Sequence, residues 1–589
     1  MLKQKSELIA FSKQSESLHK FLNNYQRDFI AIFLAIIIGI TLSILPHVLW
    51  FFQTGDPTWV ADNDDILYLA IASNAYHNHP TYLSDPVLFK GGSTVLPWIQ
   101  AIPGIIFTKI LSFLPIHINI IWRLWAGISI PIGWYLISRS YLKNPWSALA
   151  VTIILMTDIG INSCSLISKH FVTATNIAVG NLGTLLQTNP KLLNQWRIIT
   201  PGMSFVYLLA HVWLLRLALI KPTRSRIILA AISFGLLFYV YFYYWTAATV
   251  ALLIGLLIDG THRKTYLITG ILGIIIGLPQ LIFNFLIKNS SNKEWLPRND
   301  FFLPIPHFSE FLIPKLALFF IFVTFFWVFF KRRDLIHIWA LAASSILLTN
   351  HQIFTGLQIQ NFHWNYCYGP FLSFLIIVFA IELVSAINFY KKPLLLGGIA
   401  ISSLYLTTGL WLRYIEVMQT KESVQLTNNY HRYYKQRFKN SNLPLQSRAV
   451  IAGNKEFIDF AVIMENQRPL SGYLVDLSPA VDNAQWDARI ALNSYIEGKD
   501  RDSFILQQRA ELTTNQFGPW KRDQLKFEER IQNRLKYFDE IIADPLKAFK
   551  KFQVKCVALS YNTKKPTYLQ VGWKLLQNGP YWQIWEKQQ

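Results

Sequence analysis

The chain has 589 residues, of which 52% are hydrophobic, 15% aromatic and only 15% charged, where soluble domains carry about 25% charged residues. Mean hydropathy is +0.28, and the apolar residues gather into runs of about 15–23, the length that crosses a bilayer as a helix. A soluble globule, a disordered chain and a coiled coil are excluded, and Cys164, Cys367 and Cys556 are too few and too scattered for a disulfide framework or a zinc cluster. The net charge of +21 is not a nucleic-acid signature, because most basic residues sit in short loops between apolar runs, where they orient a membrane protein.

Residues 1–28 form a polar, basic arm (Lys3, Lys5, Lys13, Lys20, Arg27) expected to stay in the cytoplasm. The run that follows is long and has no small-residue cleavage site, so it reads as a first membrane helix and not as a removable signal. Further basic loops at Arg139 to Lys143, Lys221 to Arg226, His262 to Lys264, Lys331 to Arg333 and Lys391 to Lys392 belong on the same side. Threading the chain through them predicts about eleven spans: 29–51, 121–138, 146–158, 202–220, 227–243, 245–260, 265–287, 316–330, 335–349, 367–388 and 394–412. The run 227–258 lies between two basic loops, so it should cross twice and turn in the aromatic cluster Tyr241 to Trp245. The run 94–114 contains Pro97 and Pro103 and is expected to lie along the outer interface. The large segments 52–120, 159–201 and 413–589 and the loops 288–315 and 350–366 then face outward.

After 412 the apolar runs stop and charge density rises. Residues 413–589 form the outward, extracytoplasmic segment, and 447–589 within it read as a small α/β domain. Arg448-Ala-Val-Ile-Ala and Val554-Lys-Cys-Val-Ala-Leu read as strands, with a helix through Phe457 to Met464 between them. Residues 521–551 carry helical spacing, and Asn578-Gly579 is a hairpin turn signal.

The residues richest in chemistry follow the first helix: Trp59-Val-Ala-Asp62-Asn63-Asp64-Asp65-Ile-Leu-Tyr68. Three carboxylates within four positions repel one another, so at least one should resist ionising unless a cation compensates. An apolar helix begins directly after them, and Asp62, Asn63 and Asp64 are placed to cap it. Simple capping and solvated loop charges would account for such a triplet. An apolar helix at the outer membrane surface favours a working site instead.

Asp64-Asp65-Ile66-Leu67-Tyr68 resembles the Asp-Glu motif of the GT-C superfamily, integral membrane glycosyltransferases that use polyprenyl-phosphate-linked sugars. The superfamily includes protein O-mannosyltransferases, aminoarabinose transferases and oligosaccharyltransferases. Pro97-Trp98 and Arg123 stand where those families have a Pro-rich interfacial helix and an Arg opening the second span, and Asp158 where a second outer acid often follows the third. The likeness covers residues 25–412 in architecture, while the matched residues are confined to these patches. Asp65 replaces the usual Glu, which leaves the subfamily open. The resemblance implies a GT-C transmembrane domain over 29–412, a polyprenyl-phosphate sugar donor, and a glycan, lipid or protein acceptor in the plasma (inner) membrane. It implies no fixed metal requirement.

The residues suit that chemistry. A polyprenyl phosphate is already a good leaving group, whereas the acceptor hydroxyl needs a base, which a carboxylate can supply. Asp64 is the expected base, with Asp62 and Asp65 orienting the acceptor. If a divalent cation (Mg²⁺ or Mn²⁺) takes part, Asp62, Asp64 and Asp158 are its hard oxygen ligands. The leaving phosphate calls for cations, and Arg197, Lys169, His170 and Arg298 are the outer candidates, although each would also serve as a snorkelling charge at the lipid headgroups. The loop Thr349 to Trp364 is dense in amides. Gln358 and Gln360 are expected to contact sugar hydroxyls, His351 and His363 to contact phosphate or a metal, and Trp364 to stack on a sugar ring, whereas a mere connecting loop would also be polar. His77-Asn-His79 reads as interfacial histidines, and Asp85 as a turn residue before Pro86. A transporter or lipid flippase is the competing class. It would place ionisable groups in mid-span, where this sequence has few (Glu382 and the region of Lys109). A bare anchor for 413–589 would not need eleven spans.

Overall fold

The computed structural model describes residues 2–55, 57–60, 63–81, 83–87, 99–157, 196–290, 294–308, 315–329, 331–386, 391–423, 449–514, 518–560, 563, 566–569, 572–578 and 582–588. Its first half opens with α1 (Leu2–Thr54), α2 (Asn63–Asn78), α3 (Ile102–Ile110), α4 (Ile118–Tyr141) and α5 (Pro145–Thr157). Apolar helices follow at Ser204–Ile220, Arg224–Leu237, Phe242–Ile258, Arg263–Ser290, Lys315–Phe329, Ile336–Thr349, Asn365–Ala386 and Lys391–Ser423. A helix thus stands at each of the eleven positions where a span is expected. Among the described residues four stretches, Tyr25–Thr54, Pro115–Tyr141, Arg263–Leu286 and Tyr366–Val384, are long and apolar enough to cross a membrane. The expected double crossing of 227–258 is built as two helices, broken at Phe238–Tyr241, slightly before the aromatic cluster. Of the interfacial run 94–114, α3 lies within the described residues; Trp122 of α4 donates its indole N–H to the Ala101 carbonyl at 3.0 Å beside it. The arm 1–28 joins α1 as continuous helix back to Leu2.

Small residues set how closely α1 and α4 approach, as expected where lipid offers no hydrophobic drive between helices. A Cβ on Gly127 would meet Ser43 Oγ at 2.3 Å and Ile40 Cα at 3.0 Å. At the middle of α1, Asp28 receives hydrogen bonds from Arg139 (2.7 Å) and Tyr135 (2.5 Å). Asp334 pairs with Arg332 and Arg216. Glu382, an acid expected inside a span, forms an ion pair with Arg332. The loop charges therefore neutralise one another where the helices end.

The C-terminal residues fold as an α/β unit around one mixed sheet of order β4-β3-β5-β7-β6, comprising β3 (Val450–Gly453), β4 (Arg468–Pro469), β5 (Val554–Ser560), β6 (Trp573–Asn578) and β7 (Trp582–Lys587). β3 runs parallel to β4 and β5, and β7 antiparallel to β5 and β6. Both expected strands, the helix (Lys455–Glu465) and the β6–β7 hairpin are present; Gly579 of the turn lies outside the described residues. Side chains alternate between two cores, as the pleat requires. Ile451, Cys556, Ala558 and Ile584 face the core shared with the helical half, while Val450, Ala452, Val557 and Trp585 face the second core under helices 483–551. Burial on both faces explains the apolar run of β3 and the run Cys556–Leu559 of β5. Gly453, at φ +103°, leaves β3 where a Cβ would strike the Ala558 carbonyl oxygen at 2.1 Å, so glycine is required there. Asn454 then caps the helix 455–465 by accepting from the Phe457 N–H.

That helix packs on α2. Ser73 Oγ donates to the Ile463 carbonyl, and Ser478 Oγ to Asp85 (2.6 Å). Asp85 also accepts the Val87 N–H at 2.8 Å, so the expected turn residue doubles as a tether. The packing predicts that Gly127→Val, which forces α1 from α4, costs about 1–3 kcal/mol. A lowered apparent melting temperature of the detergent-purified protein would show it; an unchanged one would refute the close-packing argument.

Candidate active site

Two carboxylates leave the first turn of α2 in different directions. Asp65 turns inward and is 2% exposed. Arg123 meets it with Nη2 at 3.0 Å. The same guanidinium donates from Nε to Asn119 Oδ1 (2.9 Å) and from Nη1 to the Trp196 carbonyl (2.9 Å), and lies 4.7 Å over the Trp59 ring. Asn119 in turn donates to the Trp59 carbonyl at 2.7 Å. A buried ion pair is tolerable only when its remaining donors are satisfied in this way.

Asp64 turns the other way, is partly exposed and forms an ion pair with Arg197. Arg197 directly precedes a π-helical turn, Ile198–Met203, containing Pro201. Proline lacks the N–H that an α-ladder needs, and such wide turns frequently mark functional sites. Arg197 also donates to the Tyr366 hydroxyl at 3.4 Å. Beside it, His363 stacks on Tyr243 (ring centroids 4.6 Å apart) and shares a hydrogen bond with the Tyr241 hydroxyl. Burial, followed by the charge of Arg197, lowers the His363 pKa from 6.5 to about 3, so its imidazole is neutral at physiological pH. The expected mutual repulsion of Asp64 and Asp65 is thus met by one arginine for each carboxylate.

Asp64, Asp65, Arg197 and His363 come together at the start of α2. Gln360 joins them at one remove, accepting from Tyr243 OH (3.3 Å) and donating to the Asn299 carbonyl (3.0 Å). Other candidates are spent elsewhere. Trp364 is 2% exposed, donates to Thr246 Oγ1 at 3.0 Å and lies against His351 and Tyr243, so its ring is not presented to a sugar. His351 is buried, holds the Leu348 carbonyl at 2.8 Å, and burial lowers its pKa. Gln358 bridges Asp300 and Arg522. The amide-rich loop is therefore largely knitted inward: its strand β2 (Leu357–Ile359) pairs antiparallel with β1 (Phe301–Pro304). Arg298, expected to grip phosphate, is 3% exposed, donates to the Ser478 carbonyl at 3.0 Å and lies over Trp486 at 5.0 Å. It fastens the C-terminal unit, because position 298 falls beneath that unit and not at the mouth of the site. Asp62, Asp158, Lys169 and His170 lie outside the described residues. Among the described residues no three His, Cys, Asp or Glu side chains converge as metal ligands, and Asp64 is paired with Arg197. Sequence reasoning did not list Tyr241, Tyr243 and Tyr366 as site residues; the aromatic break after the run 227–240 was the signal that could have found them.

No protein-family model matches the chain, and no curated protein matches it in sequence. Solved structures that match the chain include the two that follow. ArnT from Cupriavidus metallidurans, solved bound to undecaprenyl phosphate, superposes with a TM-score of 0.52 at 8% identity over 95% of this chain and 97% of that one. The archaeal oligosaccharyltransferase AglB from Archaeoglobus fulgidus, solved with an inhibitory peptide and a dolichol-phosphate, gives a TM-score of 0.39 at 14% identity over 91% of this chain and 69% of that one. The near full-length ArnT superposition shows that this chain shares the fold of that protein, a likeness that Asp64-Asp65, Pro97-Trp98 and Arg123 also carry in sequence.

Two measurements test the site's construction. Arg123→Ala strands the buried Asp65 and is expected to cost about 3–5 kcal/mol, read as a large fall in melting temperature; a change below about 1 kcal/mol would show that the pair is not structural. His363 is neutral in the folded protein and protonates below pH 6.5 in the unfolded chain. The unfolded chain then binds the extra proton, so this group's contribution to stability falls as pH drops from 6.5 toward about 3. In a His363→Gln variant the decline should be shallower; an identical slope would contradict the assignment.

Proposed function

We propose that the protein transfers a sugar from a polyprenyl-phosphate-linked donor to an acceptor hydroxyl at the outer face of the plasma (inner) membrane, with inversion at the anomeric carbon. The observation that carries this reading is the division of labour on α2: a buried, fully engaged Asp65–Arg123 pair beside a partly exposed Asp64–Arg197 pair, within a GT-C fold. ArnT was solved with undecaprenyl phosphate bound, which supports a polyprenyl-phosphate donor here. In this reading the chain crosses the membrane about eleven times, with residues 1–28 cytoplasmic and 413–589 extracytoplasmic. On the same reading the paired charges around Asp28, Asp334 and Glu382 lie toward the cytoplasmic side.

Arg197 has two claimants. Without donor its guanidinium is matched by Asp64. A donor phosphate competes for it with stronger, two-pronged hydrogen bonds. Drawing Arg197 toward the phosphate frees the Asp64 carboxylate to accept the acceptor's hydroxyl proton. The acceptor oxygen then bonds to the anomeric carbon, the bond from that carbon to the phosphate oxygen breaks, and the electron pair leaves with the polyprenyl phosphate. Neutral His363 and the hydroxyls of Tyr241 and Tyr366 line this space as hydrogen-bonding groups without adding charge. Lys169, His170, Asp62 and Asp158 remain candidates to complete it. The acceptor is a glycan, a lipid or a protein. An EDTA arm in the experiment below reads whether Mg²⁺ or Mn²⁺ takes part.

The protein, reconstituted in lipid, would be given radiolabelled polyprenyl-phosphate sugars. Asp64→Asn is expected to lower turnover by roughly 10²–10⁴-fold with donor binding retained, while Arg197→Ala chiefly weakens donor binding. Full turnover in Asp64→Asn would move the base elsewhere on the chain. Failure of the wild type to bind any donor would favour a transporter.

A further inference from the structure

The C-terminal unit contains a cavity of about 520 Å³, well apart in sequence from α2. It lies between the helices Asn483–Ile496 and Arg501–Thr514 and the start of the helix 455–465. We propose that this cavity is a second carbohydrate site, which holds an uncharged oligosaccharide segment of the acceptor.

Its lining argues for that class of ligand. Three cations (Lys455, Lys499, Arg534) are balanced by three carboxylates (Asp476, Glu497, Glu511), so an anion or a cation gains nothing net by entering. Planar polar groups dominate the wall, and they form a linked rim. Lys499 pairs with Glu497 at 2.6 Å and also donates to Gln507, which donates to Glu511; Asn493 donates to Glu497 at 3.0 Å. Amides and carboxylates held rigid in this way accept from and donate to neighbouring hydroxyls on a sugar ring, whereas an apolar ligand would strip them of water without replacement.

The floor supplies the independent observation. Gln508 is 1% exposed. Its Oε1 accepts from Arg534, which is itself buried and tied to Asp487 at 3.0 Å, while its Nε2 is a buried donor without a hydrogen-bond partner among the described residues. Gln508 lines the cavity, and a buried donor without a partner beside a polar cavity is a group that an entering acceptor can satisfy. Beside it, Trp486 donates to Asp476, giving the cavity one aromatic wall whose position is set by a hydrogen bond.

The cavity is physically joined to the candidate active site. Trp486 lies against Arg298, whose neighbour Asn299 accepts from Gln360, and Gln360 accepts from Tyr243, the residue stacked on His363. Lys455 opens the helix that packs on α2. An acceptor chain held at the cavity therefore lies on the unit whose helix 455–465 packs on α2. Calling the ligand an acceptor rests on the glycosyltransferase reading; the carbohydrate assignment itself does not.

The test uses the full chain in lipid nanodiscs free of glycoside detergent, with maltose, cellobiose, mannobiose and diacetylchitobiose as probes. Binding is followed by saturation-transfer NMR. At least one disaccharide should bind saturably to the wild type and to Asp64→Asn alike. Gln508→Leu should weaken it about tenfold, the loss of one hydrogen bond to a fixed donor. Ser471→Trp, which fills the cavity without touching the Arg534 network, should abolish it and guards against misfolding of the first variant. No saturable binding to the wild type, or binding unchanged in both cavity variants, overturns the proposal. Loss in Asp64→Asn would also overturn it by placing the sugar at α2. Disaccharide binding without any sugar transfer would leave the cavity assigned and sink the glycosyltransferase reading alone.

Discussion

The buried Asp65–Arg123 pair holds the rest of the site in place. One guanidinium reaches from α4 to α2, to the Trp196 carbonyl and over Trp59, so three stretches distant in sequence converge on a single planar cation. The desolvation of such a pair is offset only if every arm finds a partner, and that requirement fixes the angle at which α2 leaves the helical half. Residue 64 is the immediate neighbour of 65, and Arg197 is the immediate neighbour of Trp196. Anchoring 65 and 196 to one arginine thus sets 64 and 197 face to face. The exposed pair, where chemistry is proposed, is a geometric consequence of the buried one.

The C-terminal unit extends this arrangement. Its helix 455–465 packs on α2, and its loops take hydrogen bonds from Trp295 and Arg298 of the segment that carries β1. That same segment pairs with β2 in the amide-rich loop, whose His363 stands beside Arg197. The two halves are not hinged by a single contact. The sheet's inner face shares one apolar core with the helices, through Ile451, Cys556, Ala558 and Ile584. Displacing the unit would expose both that core and the polar tethers.

Local patterns were legible in the sequence where one physical rule acted alone. Apolar run length located a helix at each of eleven positions, because crossing a bilayer as a helix demands about that length. The strands β3 and β5 were readable from continuous apolar residues, and the hairpin from Asn578-Gly579. The acidic motif was legible because three adjacent carboxylates need an explanation. Arg197 was legible only as one of four candidate cations for a leaving phosphate.

What the tertiary structure alone decided is how residues with the same local character were used. Arg197 and Arg298 look alike in sequence, yet one meets Asp64 and the other is buried under the C-terminal unit beside Trp486. Asp64 and Asp65 are neighbours, and only the facing of α2 makes one exposed and the other buried. Trp364 looked like a stacking platform, but its neighbours His351 and Tyr243 cover it. Composition and periodicity report each residue's preference for water or lipid, and a charged or aromatic side chain on an amphipathic segment satisfies that preference in several ways. Which partner it receives depends on contacts more than fifty residues away, and those exist only once the chain has folded.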